Sequence, residues 1–199
     1  MPGRFWIVIL ALIAGVAAPA QRPAQATRAS AVFATGCFWC TESDFDSVPG
    51  VVSTISGYTG GRSVRPTYAQ VSAGGTGHIE AVRVVYDPRR VTYAALVNRA
   101  LRTSDPLDGG GQFCDRGDQY RPAIFVAGPA ERRAAMAAIE NASRILRAPI
   151  ATAILPRAVF YPAEEYHQDY YRKNPVRYRF YRWNCGRDAR IRELWSRAR

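Results

Sequence analysis

The side chains best suited to chemistry are Cys37 and Cys40, two of four cysteines, in the stretch GCFWC at 36–40. Two thiols at this spacing could form a redox disulfide, supply half of a metal site, or comprise one nucleophile beside an unrelated cysteine. A zinc site would need a second close pair of ligands. The remaining candidates are isolated from one another along the chain: Cys114, Cys185, His78 and His167. The spacing therefore favours thiol chemistry over metal binding.

Cys37 stands where a short apolar strand candidate gives way to a helix candidate. A sulfur at the first turn of a helix faces the positive end of the helix dipole, which stabilises a thiolate and makes it a better nucleophile. Gly36, directly before it, lets a substrate approach the backbone closely. The alternative is a buried, inert cysteine.

Glu80 is the second informative residue, because it lies in a strand candidate at 78–88. Alternation places it on one face with Val82 and Val84. A carboxyl on an apolar surface is poorly hydrated, so its pKa rises and it can serve as a general acid. Both faces of this strand carry apolar residues, so a solvent-exposed glutamate at the strand end is the alternative.

Three further polar side chains lie in loops, where binding and catalytic residues are common. The glycine- and aspartate-rich segment 104–120 carries Asp115 and Tyr120, and Tyr68 lies in an earlier loop. A tyrosine hydroxyl can hold a substrate oxygen, and an aspartate can orient that hydroxyl or the loop. Each of these residue types, taken singly, is more often a packing residue.

The elements that would position these residues are strands and helices that alternate irregularly along the chain. Strand candidates lie at 29–35, 50–58, 78–88, 122–127 and 151–160. Helix candidates lie at 37–48, at 93–103 after a capping Thr92, at 129–146, at 162–174 and at 187–198. The mixture predicts an α/β or α+β fold in one layered domain.

The first 20 residues have the layout of a secretory signal, with one arginine, an apolar run and small residues ending at Ala20. We expect a signal peptide at 1–20, a linker at 21–29 and one domain at 30–199 with a basic tail from about 174. This predicts an exported, periplasmic protein. Without cleavage the same segment would be a membrane anchor, although it is short for a span of about 20 residues.

The formal net charge of +11 comes almost wholly from arginine. Such a charge could serve nucleic acid or an acidic surface. The arginines are scattered, however, except in the tail after Lys173, where they alternate with aromatic residues as on a solvated strand or helix face. No nucleic-acid motif accompanies the charge, so we expect no nucleic-acid partner.

Several longer motifs occur in a fixed order from about Ser30 to Lys173. After GCFW at 36–39 come GYTGG at 57–61, PTY at 66–68, TGHIEAVRVVYDP at 76–88, DRGDQYRPAIF at 115–125 and FYPAEEYHQDYY at 160–171. With these motifs the chain resembles the A-type peptide methionine sulfoxide reductases. The number and order of the motifs make this resemblance specific.

The resemblance implies an α+β fold, a single domain with a ferredoxin-like core whose mixed central sheet is flanked by helices. It implies reduction of methionine sulfoxide, free or in proteins, with preference for the S epimer. Phe38 and Trp39 would form an apolar pocket for the S-methyl group of the substrate. No cofactor is implied beyond a thioredoxin-like dithiol reductant, and the protein is expected to be a monomer with no membrane span once the signal is cleaved.

The same resemblance implies roles for five polar residues. Cys37 would be the nucleophile that attacks the sulfoxide sulfur, and Glu80 the acid that protonates the sulfoxide oxygen. Tyr68 and Tyr120 would hydrogen-bond that oxygen, and Asp115 would help to position the site. The reaction would leave a sulfenic acid on Cys37, which a second thiol converts to a disulfide.

The resolving cysteine is where the chain departs from the family that it resembles. Many members have glycine in place of Cys40 and carry resolving cysteines on a glycine-rich tail, whereas this tail has Cys185 and a helix candidate after it. Cys185 has the tail position and a flexible glycine next to it. Cys40 is close in sequence but needs helical distortion to reach Cys37. We favour Cys185, then Cys40, then Cys114.

Two alternative functions remain open from the sequence. A general dithiol–disulfide oxidoreductase would use Cys37 and Cys40 but would not need Glu80 or Tyr68. A non-enzymatic basic domain would use the arginine-rich tail to bind an anionic surface. The ordered motifs favour the reductase over both.

Overall fold

A computed structural model describes residues 28–196 together with Met1 and Gly3, so nearly all of the predicted signal peptide and linker lies outside the described residues. The strands are β1 (Ala29–Ala34), β2 (Val51–Thr59), β3 (Ile79–Tyr86), β4 (Gly111–Gln112), β5 (Asp115–Arg116), β6 (Ala123–Val126), β7 (Ala153–Pro156) and β8 (Phe160–Pro162). The helices are α1 (Phe38–Asp46), α2 (Tyr68–Ser72), α3 (Tyr93–Arg102), α4 (Pro129–Leu146), α5 (Tyr170–Lys173), α6 (Pro175–Asn184) and α7 (Arg187–Ser196).

A six-stranded mixed sheet in the order β7-β6-β1-β3-β2-β8 forms the centre of the domain. Within it β6, β1, β3 and β2 pair antiparallel, and β7 adds to β6 in parallel. The chain path β1-α1-β2-β3-α3-β6 makes two split β-α-β units, which is the ferredoxin-like arrangement. The predicted fold class is confirmed.

The sheet is curled, which follows from the short connection between its two edge strands. Only residues 157–159 join β7 to β8, although these strands lie at opposite edges. Six flat strands would place the edges about 24 Å apart, whereas the linking segment spans about 14 Å when fully extended. Leu155 of β7 and Phe160 of β8 accordingly pack on one apolar cluster on the same face.

The larger core fills the other face of the sheet, under α1, α3 and α4. Its buried side chains come from alternate strand positions and from the apolar faces of these helices. They include Phe33, Phe45, Val82, Val84, Leu96, Leu101 and Ile124. Thr92 caps α3 as predicted, since its Oγ1 accepts a hydrogen bond of 3.1 Å from the backbone N–H of Ala95.

Three stretches differ from the predicted elements. The helix expected at 162–174 is a 3₁₀ turn at Glu165–His167 followed by the short α5, because β8 extends to Pro162. The single strand expected at 151–160 is two strands, because β7 ends at Pro156, which has no N–H to continue a ladder. The tail after Lys173 forms α6 and α7, which expose Arg177, Arg179 and Arg192 as predicted for a solvated helix face but bury Arg187. None of the described helices is long and apolar enough to cross a membrane.

Candidate active site

Cys37 occupies the turn between β1 and α1, as the residue that immediately precedes the helix. Its backbone oxygen accepts hydrogen bonds from the N–H groups of Cys40 and Thr41, at 3.1 and 3.2 Å. Gly36 makes the turn with φ of +88°, and a Cβ at that position would lie 2.5 Å from Cβ of Gln112. The turn therefore requires glycine for both backbone conformation and space.

Glu80 lies at the start of β3, directly opposite Tyr58 of β2. Its side chain is 2% exposed, and its Oε2 accepts a hydrogen bond of 3.0 Å from the backbone N–H of Phe38. Burial raises the pKa of Glu80 to about 8, although this hydrogen bond lowers it. The carboxyl is therefore mainly protonated at neutral pH and can donate a proton beside the first turn of α1.

A small cavity of about 120 Å³ brings together residues from six parts of the chain. It contains every predicted catalytic and substrate-binding residue and one that was not predicted. Its lining is Cys37, Phe38, Trp39, Tyr68, Glu80, Asp115, Tyr120 and Tyr181. Burial raises the pKa of both Tyr68 and Tyr120, so the two phenols are neutral O–H donors at neutral pH.

Asp115 reaches the cavity from β5, at the end of the glycine-rich loop. Tyr181 of α6 donates a hydrogen bond from its Oη to Asp115 Oδ2. Burial raises the pKa of Asp115, whereas the hydrogen bond from Tyr181 lowers it. Helix α6 therefore contributes a side chain to the site.

The aromatic wall is formed by Phe38 and Trp39 and is held by residues near the C-terminus. Trp39 Nε1 donates a hydrogen bond of 3.0 Å to Nδ1 of His167, and its ring stacks on Tyr170 with centroids 3.7 Å apart. Phe38 packs against His167 with centroids 4.9 Å apart. Burial lowers the pKa of His167, so the imidazole is neutral and accepts at Nδ1.

The four cysteines form two groups. Cys37 and Cys40 are free and buried, at 6% and 2% exposure, whereas Cys114 and Cys185 are joined by a disulfide. Burial raises the pKa of Cys37 well above that of an ordinary thiol. Loss of hydration is the largest cause, so Cys37 is a thiol before substrate is bound, whereas the sequence predicts a helix-stabilised thiolate.

Comparison with known proteins agrees with this geometry. Residues 29–199 match the family model described as peptide methionine sulfoxide reductase. The chain is 48% identical to peptide methionine sulfoxide reductase MsrA 2 of Caulobacter vibrioides over 194 residues, which cover 97% of this chain and 98% of that one. It is 51% identical to MsrA 2 of Rhizobium meliloti over 175 residues, or 87% of each chain. The chain belongs to the peptide methionine sulfoxide reductase family.

Two solved structures of one yeast protein have folds similar to that of this chain. Reduced Mxr1 of Saccharomyces cerevisiae matches with a TM-score of 0.72 and 31% identity, over 77% of this chain and 90% of that one. Mxr1 has also been solved in complex with Trx2, and this chain matches that structure with a TM-score of 0.53 and 23% identity, over 76% of this chain and 91% of that one. As a member of the family, the protein is an oxidoreductase.

Several residues of this reductase site could not be found from sequence motifs alone. His167 and Glu164 lie in the motif at 160–171, but nothing in the motif shows that they support Trp39 and Tyr68. Glu164 accepts hydrogen bonds from Tyr68 N, at 2.8 Å, and from Tyr58 Oη, at 2.9 Å. Tyr181 had no local pattern to mark it, because it reaches the cavity only through the packing of α6.

Proposed function

We propose that this reductase converts methionine S-sulfoxide, free or in proteins, to methionine with Cys37 as nucleophile and Glu80 as acid. The observation that carries the proposal is the buried, protonated Glu80 carboxyl in one cavity with the Cys37 sulfur. Sulfoxide sulfur is a weak electrophile until its oxygen is protonated or strongly hydrogen-bonded. Tyr68 and Tyr120 supply two further donors for that oxygen, and Asp115 positions the site.

In the first step the Cys37 sulfur attacks the sulfoxide sulfur while Glu80 gives its proton to the sulfoxide oxygen. The thiol proton of Cys37 replaces the proton that Glu80 gave up. The attack forms a bond between the two sulfurs. The sulfur–oxygen bond of the substrate then breaks as its hydroxyl group moves to the Cys37 sulfur, and the sulfur–sulfur bond breaks to release methionine and leave a sulfenic acid on Cys37. The substrate sulfur is thereby reduced by two electrons and the cysteine is oxidised by two. Phe38 and Trp39 hold the S-methyl group.

In the second step we propose that Cys40 attacks the sulfenic acid, which releases water and forms a Cys37–Cys40 disulfide. Cys40 is a free cysteine in the first turn of α1, three residues after Cys37. Cys185 was our first prediction, and it is bonded to Cys114, so it could act only after that disulfide is opened. Which thiol resolves the sulfenic acid stays a prediction, and a disulfide map tests it.

A thioredoxin-like dithiol would then reopen the disulfide by thiol exchange. The complex of yeast Mxr1 with Trx2 supports a reductant of this class. No prosthetic group is needed, because the two electrons enter as thiols. We propose that the enzyme acts as a monomer.

The test is a single-turnover assay of the reduced enzyme with an S-sulfoxide peptide. Cys37→Ser should form no methionine, and Glu80→Gln should slow methionine formation by about 100-fold or more, because an amide cannot donate the proton as an acid. Glu165→Gln, a change at an exposed glutamate, is the matched control and should behave like the parent. Retained activity in Cys37→Ser would refute the proposal.

The two alternative functions fit the structure less well. A general dithiol oxidoreductase would need only the two thiols and would leave Glu80, Tyr68 and Tyr120, which line one cavity with Cys37, without a role. A basic binding domain would present all the arginines of its tail to a partner, yet three of them, Arg182, Arg187 and Arg190, pair with carboxylates of the protein. In the same assay, disulfide exchange without methionine formation would favour the oxidoreductase.

We propose that the protein is exported to the periplasm and cleaved after Ala20. The layout of residues 1–20 supports this, and an uncleaved segment would leave a membrane-anchored form. N-terminal sequencing of the exported protein distinguishes the two, since an intact start at Met1 would contradict cleavage.

A further inference from the structure

The C-terminal helices bring two guanidinium groups to one carboxylate next to the active-site turn. Arg182 Nη2 lies 3.0 Å from Asp44 Oδ1, and Arg187 Nη2 lies 3.4 Å from Asp44 Oδ2. Asp44 is four residues after Cys40 on α1, so the two side chains share one face of the helix. The two cations therefore lie beside the face of α1 that carries the Cys40 sulfur.

The buried cation Arg187 shares its carboxylate partner with Arg182, which also pairs with Asp188 of α7 at 2.7 Å. The Arg187 side chain is 2% exposed, and its guanidinium donates to the backbone oxygens of Thr35 and Thr103 at 3.2 and 2.6 Å. It also lies over the ring of Phe113, with 4.7 Å from Cζ to the centroid. Asp44 is its only carboxylate partner among the described residues and is shared with Arg182.

Groups of both charges surround Cys40, with two arginines and one aspartate among them. Titratable or charged groups face this thiol from α1, β3, α6 and α7. They are Cys37 and Asp44 of α1 and its cap, Glu80 of β3, Tyr178, Tyr181 and Arg182 of α6, and Arg187 of α7. The pKa of Cys40 is lowered first by the hydrogen bond from Cys37 and further by Arg187 and Arg182, against burial and Asp44.

We propose that Arg182 and Arg187 are positioning residues for the second step, whose charges keep the Cys40 sulfur as the thiolate that attacks the sulfenic acid on Cys37. The thiolate forms the new sulfur–sulfur bond, the sulfur–oxygen bond of the sulfenic acid breaks, and the departing hydroxide takes a proton to become water. This inference rests on the proposed function, in which Cys40 is the resolving thiol.

The test compares variants that change the local charge in opposite directions. Methionine and disulfide formation are timed separately after one equivalent of S-sulfoxide peptide, by acid quenching, alkylation and mass spectrometry over a range of pH. Arg182→Met should raise the pH midpoint of disulfide formation by about one unit or more, since one positive charge is lost near the thiol. Asp44→Asn should lower that midpoint, and Arg182→Lys should restore it.

The controls separate electrostatics from folding. Arg179→Met removes an exposed arginine of the same helix and should leave the midpoint unchanged. A purely structural role for Arg182 and Asp44 would slow both variants without shifting their midpoints in opposite directions, and that result would overturn the proposal. Arg187→Lys, which keeps the buried charge, should stay close to the parent midpoint. If this variant unfolds, the opposite shifts of Arg182→Met and Asp44→Asn still test the proposal.

A further variant separates this inference from the proposed function. Cys40→Ser should stop at the Cys37 sulfenic acid. If Cys40→Ser still forms a disulfide on Cys37, the resolving role of Cys40 is wrong and the arginine proposal fails with it. If Cys40→Ser stops at the sulfenic acid but Arg182→Met does not move the midpoint, the arginine proposal alone fails.

Discussion

At the scale of single residues, Glu80 shows how burial and a hydrogen bond compete. The backbone N–H of Phe38 favours the ionised carboxylate, whereas loss of water favours the protonated acid. The balance lies with burial, because the pKa is about 8 and not 4.5. The same contact fixes the acid against the first turn of α1, so the proton donor and the nucleophile are held by one element.

This pKa gives the first step a definite pH dependence. The acid is active while protonated, so the rate of methionine formation should fall as the pH rises through about 8. The pKa of Cys37 lies well above that of an ordinary thiol, so Cys37 stays a thiol as the pH passes 8 and the expected profile there is a single falling limb. In Glu80→Gln the falling limb should disappear. Rapid-quench measurements between pH 6 and 10 check this, and a falling limb that persists in the variant would assign it to another group.

Residue-scale prediction from the sequence succeeded where a local pattern carried the information. Alternation along β3 correctly placed Glu80 with Val82 and Val84, and all three are buried. Tyr181 and Arg187 could not be found in this way. The residues that contact Tyr181 in the site are distant from it in sequence. Composition cannot show that Arg187 will be buried with its guanidinium bonded to main-chain oxygens.

At the scale of elements, the site depends on the turn between β1 and α1 and on the loop that packs under it. Gln112 is fully buried and binds that loop, because its side chain accepts from Asp105 N at 2.8 Å and donates to Asp108 O at 3.1 Å. Gly36 packs directly on Gln112. The turn and the loop that carries Asp115 are therefore fitted to each other.

Gly36→Ala should consequently damage both stability and the first step. The alanine would meet Gln112 and adopt an unfavourable φ, at a cost of about 1–3 kcal/mol in the free energy of unfolding. Gly74→Ala is the matched control, since Gly74 also has positive φ, at +81°, but no atom lies within 4 Å of its Cβ position. Denaturant unfolding and single-turnover rates of both variants measure the difference. Equal losses would show that Gln112 plays no part.

The elements themselves were largely predictable. Propensity, capping and alternation located β1, β2, β3, α3 and α4, because each has a strong local pattern. Helix α6 has none, since its apolar residues lie partly on its exposed face, at Val176, Phe180 and Trp183. Its position is set by contacts of Tyr178, Tyr181 and Arg182 with the rest of the domain.

At the scale of the whole molecule, the disulfide between Cys114 and Cys185 links the glycine-rich loop to the end of α6. The two cysteines are 71 residues apart in sequence, with Cα atoms 4.9 Å apart. Asp115 and Tyr181, which meet in the cavity, lie on these two linked segments. The sequence allowed disulfides but could not pair these cysteines, because their proximity depends on the complete fold.

Removal of this disulfide should destabilise the protein without abolishing the first step. Cross-links that close loops of this length stabilise proteins by about 2–4 kcal/mol. We expect Cys114→Ser/Cys185→Ser to lower the free energy of unfolding by that amount while it still forms methionine in one turnover. Cys40→Ser, which leaves the disulfide intact, is the control for the loss of a thiol. A double variant as stable as the parent would contradict the assigned pairing.

The setting of Trp39 has one more consequence, which is optical. Its indole lies between the two thiols in sequence, stacks on Tyr170 and donates to a neutral imidazole. Indole fluorescence depends on nearby charge and on nearby sulfur, and both change when Cys37 and Cys40 are oxidised. The emission of Trp39 would therefore report the redox state of Cys37 and Cys40 in real time, without an added fluorophore.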